Sequence, residues 1–276
     1  MTRRRFLVMA SAAVGLAAAE TTPSAGGRVE VTGGGADPDA LSSFERLHRP
    51  VLRLPAFTSN GAKVPVSIEM SHPMQPDHFI ASLHVVNERD PVPSKGVFQF
   101  SPLNGQAYLG VQIRVDQGTS EISVTAECNR HGRWRTTRVI AIPEGAGGCA
   151  GVASPPGPAA RDEIQPPSIR IPQLVADGAI GPNQIIDVQL KTKHPSRTGL
   201  VARHGTFVQE SEPLHLDRME VFYDAEPVSR FVLTSALSDN PFITFRLRAR
   251  REGTVRVVLT NNRGQRFEAT HPIRFG

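Results

Sequence analysis

The chain carries one pattern of alternating β-strands twice, and this repeat limits its fold more than any other feature. Residues 66–73 alternate apolar and polar side chains and end in His-Pro, and residues 187–195 do the same in the second half. Alternation with a period of two is typical of a strand with one buried face. The two halves are therefore predicted to be diverged copies of one β domain.

Further matching segments follow in the same order in both halves. Each half has closely spaced turn signals and about six or seven strand-like segments, the pattern of an antiparallel sandwich. We predict an all-β protein made of two immunoglobulin-like antiparallel β-sandwich domains. The matched segments are residues 90–92 with 226–228, 107–114 with 242–248, and the hairpin signals 129–132 with 261–264.

The length of 276 residues is enough for two domains with separate cores, which we expect, although length alone would also allow one large β domain. The only helix predicted is a short N-terminal one near residues 38–48, with Asp37 as its N-cap. The predicted organisation is an export signal at residues 1–19, a first sandwich at 30–144, a glycine-rich arm and proline-rich linker at 145–167, and a second sandwich at 168–276.

The first nineteen residues read as an export signal. Arg3, Arg4 and Arg5 precede an apolar run that ends in three alanines before Glu20. The arginines and the following Phe-Leu resemble a twin-arginine signal, with an ordinary secretory leader as the alternative. The run falls short of the roughly 20 residues of a membrane span, so a soluble periplasmic protein is expected over an uncleaved anchor.

The charge balance argues against a nucleic-acid partner. Taking the leader's three arginines from the 31 Lys and Arg leaves 28 against 26 acidic residues, a net charge of +2. No basic block remains that could follow a phosphate backbone.

The two cysteines lie in very different surroundings. Cys128 ends a predicted strand, whereas Cys149 lies in a segment of small residues. Such a segment can swing and carry a thiol into a narrow channel, and a thiolate is a good nucleophile for sulfur–sulfur chemistry. Because no neighbour would lower the thiol pKa, its reactivity should depend on a partner enzyme. The predicted carrier arm comprises Gly145, Gly147, Gly148, Ala150 and Gly151 around Cys149.

A Cys128–Cys149 disulfide is the alternative that two cysteines in an exported chain invite. Such a bridge would fasten the arm to the sheet and remove the nucleophile. The protein would then be a structural or adaptor protein without covalent chemistry.

Neither an enzyme nor a metal site is predicted. The chain has no nucleophile elbow, phosphate loop or dinucleotide fingerprint, and we expect no cofactor. Its histidines lack ligand-like spacing, and the His-Pro pairs are interpreted as strand ends. The histidines considered are His72, His78, His84, His194, His204 and His215.

Several segments resemble a family of sulfur-oxidation proteins. Residues 141–151 look like the C-terminal swinging arm of SoxY, which ends in Gly-Gly-Cys-Gly-Gly. The rest of the first half is also similar to SoxY, and the second half resembles its companion SoxZ. The segments that carry the resemblance are 70–74 and 128–134 for SoxY, and 168–172, 193–199 and 237–242 for SoxZ.

This resemblance implies a fused SoxYZ-type carrier that holds thiosulfate- or sulfide-derived sulfur on Cys149. The implied partners are a c-type cytochrome conjugating enzyme, a sulfate-releasing hydrolase and a sulfane dehydrogenase. Two features depart from SoxY: Ala150 replaces a glycine, and the arm is tethered at both ends. Relatives associated with quinoprotein dehydrogenases share this fused layout, and an adaptor of that kind remains the alternative.

Overall fold

The computed structural model describes residues 30–32, 41–151 and 164–276. The predicted export signal, Asp37 and most of the predicted linker lie outside these residues. Among the described residues, no helix has the length and apolar character needed to span a membrane.

The first half folds as predicted into short strands, with one helix at its start. Strand alternation explains its core, since β3 buries every second side chain: Val64, Val66 and Ile68. The elements are β1 (Glu30–Thr32), α1 (Ser43–His48), β2 (Val51–Arg53), β3 (Val64–Glu69), β4 (Ile80–Val86), β5 (Ser94–Phe100), β6 (Tyr108–Ile113), β7 (Gly118–Cys128) and β8 (Gly132–Ile142).

The second half repeats this design and adds a small hairpin. The hairpin turns predicted at 129–132 and 261–264 are confirmed, each with a glycine at positive φ, Gly132 and Gly264. The elements are β9 (Gln165–Arg170), α2 (Pro172–Asp177), β10 (Gln184–Lys193), β11 (Leu200–Arg203), β12 (Thr206–Gln209), β13 (Leu216–Tyr223), β14 (Glu226–Leu233), β15 (Phe242–Ala249), β16 (Gly253–Asn261) and β17 (Arg266–Ile273).

The all-β, antiparallel fold class is confirmed. One large sheet has nine strands in the order β1-β8-β7-β4-β5-β14-β13-β16-β17, a second has six in the order β2-β3-β6-β15-β10-β9, and β11 and β12 form a separate two-stranded sheet. Among the named strands, all pairings are antiparallel except the short pairing of β1 with β8. The two larger sheets run through both halves of the chain.

Equivalent strands of the two copies pair with each other, β5 with β14 and β6 with β15. This is the self-complementary contact of a twofold dimer, here made within one chain. The expectation of separate cores is wrong, because aromatic side chains close the seam between the copies and join their cores. Phe231 packs edge-on against Phe98, Phe100 and Phe245, with ring centroids 5.2, 5.6 and 6.1 Å apart.

Helix α1 begins at Ser43, later than predicted, and its N-cap is Ser42 instead of Asp37. The Ser42 hydroxyl accepts a hydrogen bond from the Glu45 backbone N–H, and the Glu45 carboxylate accepts one from the Ser42 backbone N–H. This reciprocal capping box satisfies two of the N–H groups that a helix start leaves unpaired. The cap fixes where the chain turns into the helix.

Two further elements differ from the sequence expectation. The short helix α2 was not predicted; it starts at Pro172, where a missing N–H costs nothing, and ends at Gly178 with φ of 71°. Strand β9 begins at Gln165, three residues before the predicted domain start. Its two prolines are tolerated because β9 is an edge strand of the six-stranded sheet.

Because the two copies share both sheets and one core, we expect a single cooperative unfolding transition. Phe231→Ala should lower the free energy of unfolding by about 3–5 kcal/mol, with Trp134 fluorescence and far-UV circular dichroism moving together in urea. The control is Phe57→Ala, which removes a 62% exposed ring and should cost under about 1 kcal/mol. Two separated transitions in Phe231→Ala would contradict the shared core.

Candidate functional site

Cys149 lies in a segment that is docked against the body of the protein. After β8 the chain runs back along residues 113–117, and the Gly148 N–H donates to the Val115 carbonyl at 2.9 Å. The Gly61 N–H donates to the Ala146 carbonyl at 2.9 Å. Cys149 is only 1% exposed. The structure therefore shows the arm in a closed position, with its thiol covered.

Gly147 and Gly148 of the arm are needed for close packing. A Cβ on Gly148 would overlap the backbone of Gly61, and one on Gly147 would overlap the Asp116 carboxylate. Gly145 has φ of 77°, which other residues rarely adopt. Gly151 differs, because a Cβ there would meet only the Leu200 carbonyl at an ordinary 3.7 Å. Three of the four glycines thus fit the closed position itself, beyond the flexibility inferred from the sequence.

The second half of the chain holds the arm from the other side. The Thr198 hydroxyl donates to the Cys149 carbonyl at 2.7 Å. Arg114 donates to the Gly148 carbonyl at 2.9 Å and to the Ser196 carbonyl at 2.6 Å, and it pairs with Asp239 at 2.9 Å. The closed arm therefore depends on residues from both copies.

Burial suppresses ionisation of the Cys149 thiol. Removal from water raises its pKa to about 12, partly offset by the positive charge of Lys95. Lys95 itself is fully buried in an ion pair with Asp90, whose other oxygen accepts a hydrogen bond from the Asp116 N–H. Burial also raises the pKa of Asp116. The closed thiol is protonated at neutral pH and is a poor nucleophile.

A cavity of about 520 Å³ opens beside the arm at the boundary of the two copies. Its lining includes Cys149, Arg114, Arg197, Thr198 and Asp239. The Nε of Arg114 is buried and has no hydrogen-bond partner among the described residues. The cavity combines a covered thiol with two arginines, which can bind a small anion, and with the carboxylates of Glu210 and Asp239.

The Cys128–Cys149 disulfide left open by the sequence is not present, since both cysteines are free. Cys128 ends β7, whereas the arm docks at residues 115–117 just before that strand begins. An eleven-residue strand separates its ends by about 30 Å, and a disulfide needs Cα atoms within about 7 Å. The two thiols therefore belong to different regions of the fold.

Sequence spacing missed a cluster of histidines around Cys128. His72 and His78, judged not ligand-like, lie together with His48, His131 and Cys128, and one nitrogen or sulfur atom of each falls within 4.8 Å of all the others. His84 and His194 instead contact Ser94 and Asn261. The signal available in the sequence was His131 three residues after Cys128, next to a hairpin glycine.

Family comparisons match the two halves of the chain to two different families. The model for "Sulfur oxidation protein SoxY" matches residues 45–149, and the model for "Sulphur oxidation protein SoxZ" matches residues 178–272. The chain is a fused SoxYZ protein. It is therefore a sulfur-oxidation protein of the Sox system, and the SoxY match ends at Cys149 itself. Membership implies sulfur-oxidation proteins as partners.

Other comparisons add little. No curated protein matches the sequence. Solved structures with partial similarity include a superoxide reductase (neelaredoxin) from Ignicoccus hospitalis, 20% identical over 34% of this chain and 80% of that one, with a TM-score of 0.29. A superoxide reductase from Nanoarchaeum equitans is 18% identical over 34% of this chain and 94% of that one, with a TM-score of 0.27. At these scores the similarities carry no argument about this protein.

Gly148→Ala should release the arm, because its Cβ would overlap the backbone of Gly61. We expect Cys149 to react with iodoacetamide at least about tenfold faster than in the wild type, as followed by peptide mapping. Gly151→Ala is the matched control and should leave the rate unchanged. Equal rates in all three proteins would show that close packing at Gly148 does not hold the arm closed.

The covered thiol should also be slow to react in the native protein. With a pKa of about 12, only about one closed thiol in ten thousand is ionised at pH 8. Alkylation of Cys149 at pH 8 should be at least about 100-fold slower in native protein than in concentrated urea. The rate is read by mass spectrometry, and similar rates in the two conditions would contradict the closed arm.

Proposed function

We propose that this protein is a periplasmic carrier that binds thiosulfate- or sulfide-derived sulfur covalently through Cys149 and presents it to partner enzymes. The observation that carries the proposal is a free thiol at the end of the SoxY-matched segment, set in a glycine-rich arm between the two copies. The protein supplies the attachment point and the recognition surface, and the partners supply catalysis.

The loading step is an oxidation. The Cys149 thiol loses its proton, its sulfur bonds to the outer sulfur of thiosulfate, and two electrons leave with the partner. A c-type cytochrome conjugating enzyme is a suitable acceptor. A sulfate-releasing hydrolase would then add water to the terminal sulfonate, releasing sulfate and leaving a persulfide on Cys149. A sulfane dehydrogenase would oxidise the outer sulfur of that persulfide to a sulfonate, with oxygen atoms from water and six electrons passing to an electron acceptor of the dehydrogenase. A second hydrolysis would release this sulfonate as sulfate and restore the Cys149 thiol.

The closed arm supports a carrier that alternates between a covered and a presented thiol. Hydrogen bonds to Ala146, Gly148, Cys149 and Gly151 hold it closed. Such bonds contribute about 1 kcal/mol each, so release costs a few kcal/mol that a docking partner can offset. Covering the thiol protects it, and the adduct, from unintended thiols and oxidants in the periplasm.

The cavity beside the arm supports an anionic adduct. A thiosulfonate on Cys149 would carry a negative charge into a lining that contains Arg114 and Arg197. Arg114 already bridges the arm and the second copy, and its charge is partly balanced by Asp239 at 2.9 Å. Charge-assisted hydrogen bonds of this kind are among the stronger ones in proteins. The two arginines would therefore offer such bonds to the adduct, offset in part by the carboxylates of Glu210 and Asp239 in the same lining.

The proposal predicts a covalent adduct that depends on Cys149. Protein from the periplasm of cells supplied with thiosulfate should carry the extra mass of an S2O3 or related sulfur group that reductant removes, mapped to the Cys149 peptide. Cys149→Ser should fold normally, carry no adduct and abolish thiosulfate turnover.

The comparison variant is Cys128→Ser, which keeps the arm thiol and should keep the adduct. Unchanged turnover in Cys149→Ser would sink the carrier proposal and leave an adaptor role. An adduct mapped to Cys128 would move the attachment point to the other thiol. Recovery of the protein only from the cytoplasmic fraction would contradict the proposed location.

A further inference from the structure

We propose that His48, His72, His78, His131 and Cys128 bind one transition-metal dication. Their donor atoms converge at the end of the first copy, away from the Cys149 arm. This site is independent of the proposed carrier chemistry.

The fold brings the five donors from five separate places onto one centre. His48 ends α1, His72 follows β3, and His78 precedes β4. Cys128 ends β7, and His131 lies in the turn before β8. Strand pairing fixes them, because Ile80 of β4 lies opposite Cys128 and Cys128 lies opposite Gly132. A site supported by sheet and helix ends is held in place before a ligand arrives.

Backbone carbonyls orient two of the rings toward the centre. The Nδ1 of His48 lies 2.8 Å from the Phe44 carbonyl, and the Nδ1 of His72 lies 2.6 Å from the Pro73 carbonyl. A carbonyl can only accept, so each Nδ1 carries the proton and each Nε2 presents a lone pair to the cluster. Metal-binding histidines are typically held in this way.

Protons alone cannot satisfy the facing nitrogens. The His131 Nδ1 lies 2.9 Å from the His48 Nε2 and 3.0 Å from the His78 Nε2, which lies 2.9 Å from the His72 Nε2. If neutral His131 donates to the lone pair of His48, and neutral His78 donates to that of His72, then the N–H groups of His131 and His78 point at each other. A cation at the centre accepts lone pairs from all four nitrogens at once. A bound cation therefore leaves none of these four nitrogens without a partner.

The duplicated half provides an internal comparison. His194 is the counterpart of His72, and its Nδ1 contacts the Pro195 carbonyl at 2.6 Å in the same way. Its Nε2, however, accepts a hydrogen bond from the Asn261 side chain at 3.1 Å. The second copy thus satisfies this lone pair with an amide donor, whereas the first copy surrounds it with further ligands. The cluster of further ligands is therefore a feature of the first copy and not of the design that the two copies share.

The spacing of the donors selects a class of ion. Metal–nitrogen bonds of about 2.1 Å place adjacent nitrogens about 3.0 Å apart at right angles and about 3.4 Å apart in a tetrahedron. The observed 2.9–3.0 Å matches right angles. The sulfur lies 3.6 Å from the His72 nitrogen and 3.7 Å from the His131 nitrogen. Four imidazoles and a thiolate suit a five- or six-coordinate ion such as Fe²⁺, Co²⁺, Ni²⁺ or Cu²⁺, and not Mg²⁺ or Ca²⁺.

The site is enclosed on one side and accessible on the other. His48 and His72 are 1% and 2% exposed, and the Trp134 ring stacks on His48 with centroids 5.1 Å apart. The Phe44 ring packs edge-on against His131. His131 is exposed, so an ion can enter from solvent beside it. Apolar rings around the ligands limit the water that competes for the ion.

The test uses the full mature chain purified without a polyhistidine tag and stripped with a chelator. Co²⁺ is added, and bound metal is measured by elemental analysis and by absorption. We expect one equivalent of Co²⁺ and a thiolate-to-cobalt charge-transfer band. His131→Ala, at an exposed ligand, should weaken binding at least about tenfold, and Cys128→Ser should lose the band.

The matched control is His271→Ala, because His271 also lies before a proline whose carbonyl its Nδ1 contacts, at 2.8 Å, but it lies outside the cluster. It should bind Co²⁺ as the wild type does, and so should Cys149→Ser. Circular dichroism confirms that each variant is folded. The proposal is overturned if wild-type protein binds no more Co²⁺ than His131→Ala, or if the charge-transfer band survives in Cys128→Ser.

Discussion

The pairing of equivalent strands across the two copies is the constraint on which the rest of the structure depends. Antiparallel bonds between β5 and β14 and between β6 and β15 make two sheets out of what would be four. The aromatic seam centred on Phe231 then buries the joined faces. The Cys149 arm docks where residues of both copies meet, so its closed position exists only because the copies are joined. Fusion into one chain makes this contact independent of protein concentration.

The arm shows how one set of glycines can serve two opposed needs. Glycine gives the chain freedom to leave the surface, but Gly147 and Gly148 also allow a backbone approach that no side chain would permit. The same docking that covers the thiol raises its pKa to about 12. Accessibility and ionisation are therefore coupled, because any movement that exposed Cys149 would also remove the desolvation that raises its pKa.

Much of the fold could be predicted from the sequence because it depends on local patterns. Alternating residues identified the strands, and Gly132 and Gly264 identified the hairpins. The shared core could not be predicted, since nothing local shows which strand edges will pair. The Cys149 arm was found because its residues are contiguous, whereas His48 and His131 are 83 positions apart. Strand pairing brings the residues of this cluster together, so their spacing along the sequence shows no ligand motif.

The two copies have diverged at corresponding places, where equivalent histidines have different partners. After β10, His194 is bound by an amide of its own copy and completes an ordinary buried network. After β3, His72 faces His78 and Cys128 instead. Because a buried polar group without a partner costs about 1–3 kcal/mol, replacing the amide is tolerable only where something else satisfies the lone pair. The two thiols of the first copy thus lie near opposite ends of β7: Cys128 ends the strand itself, and Cys149 lies on the arm that docks beside the residues before it.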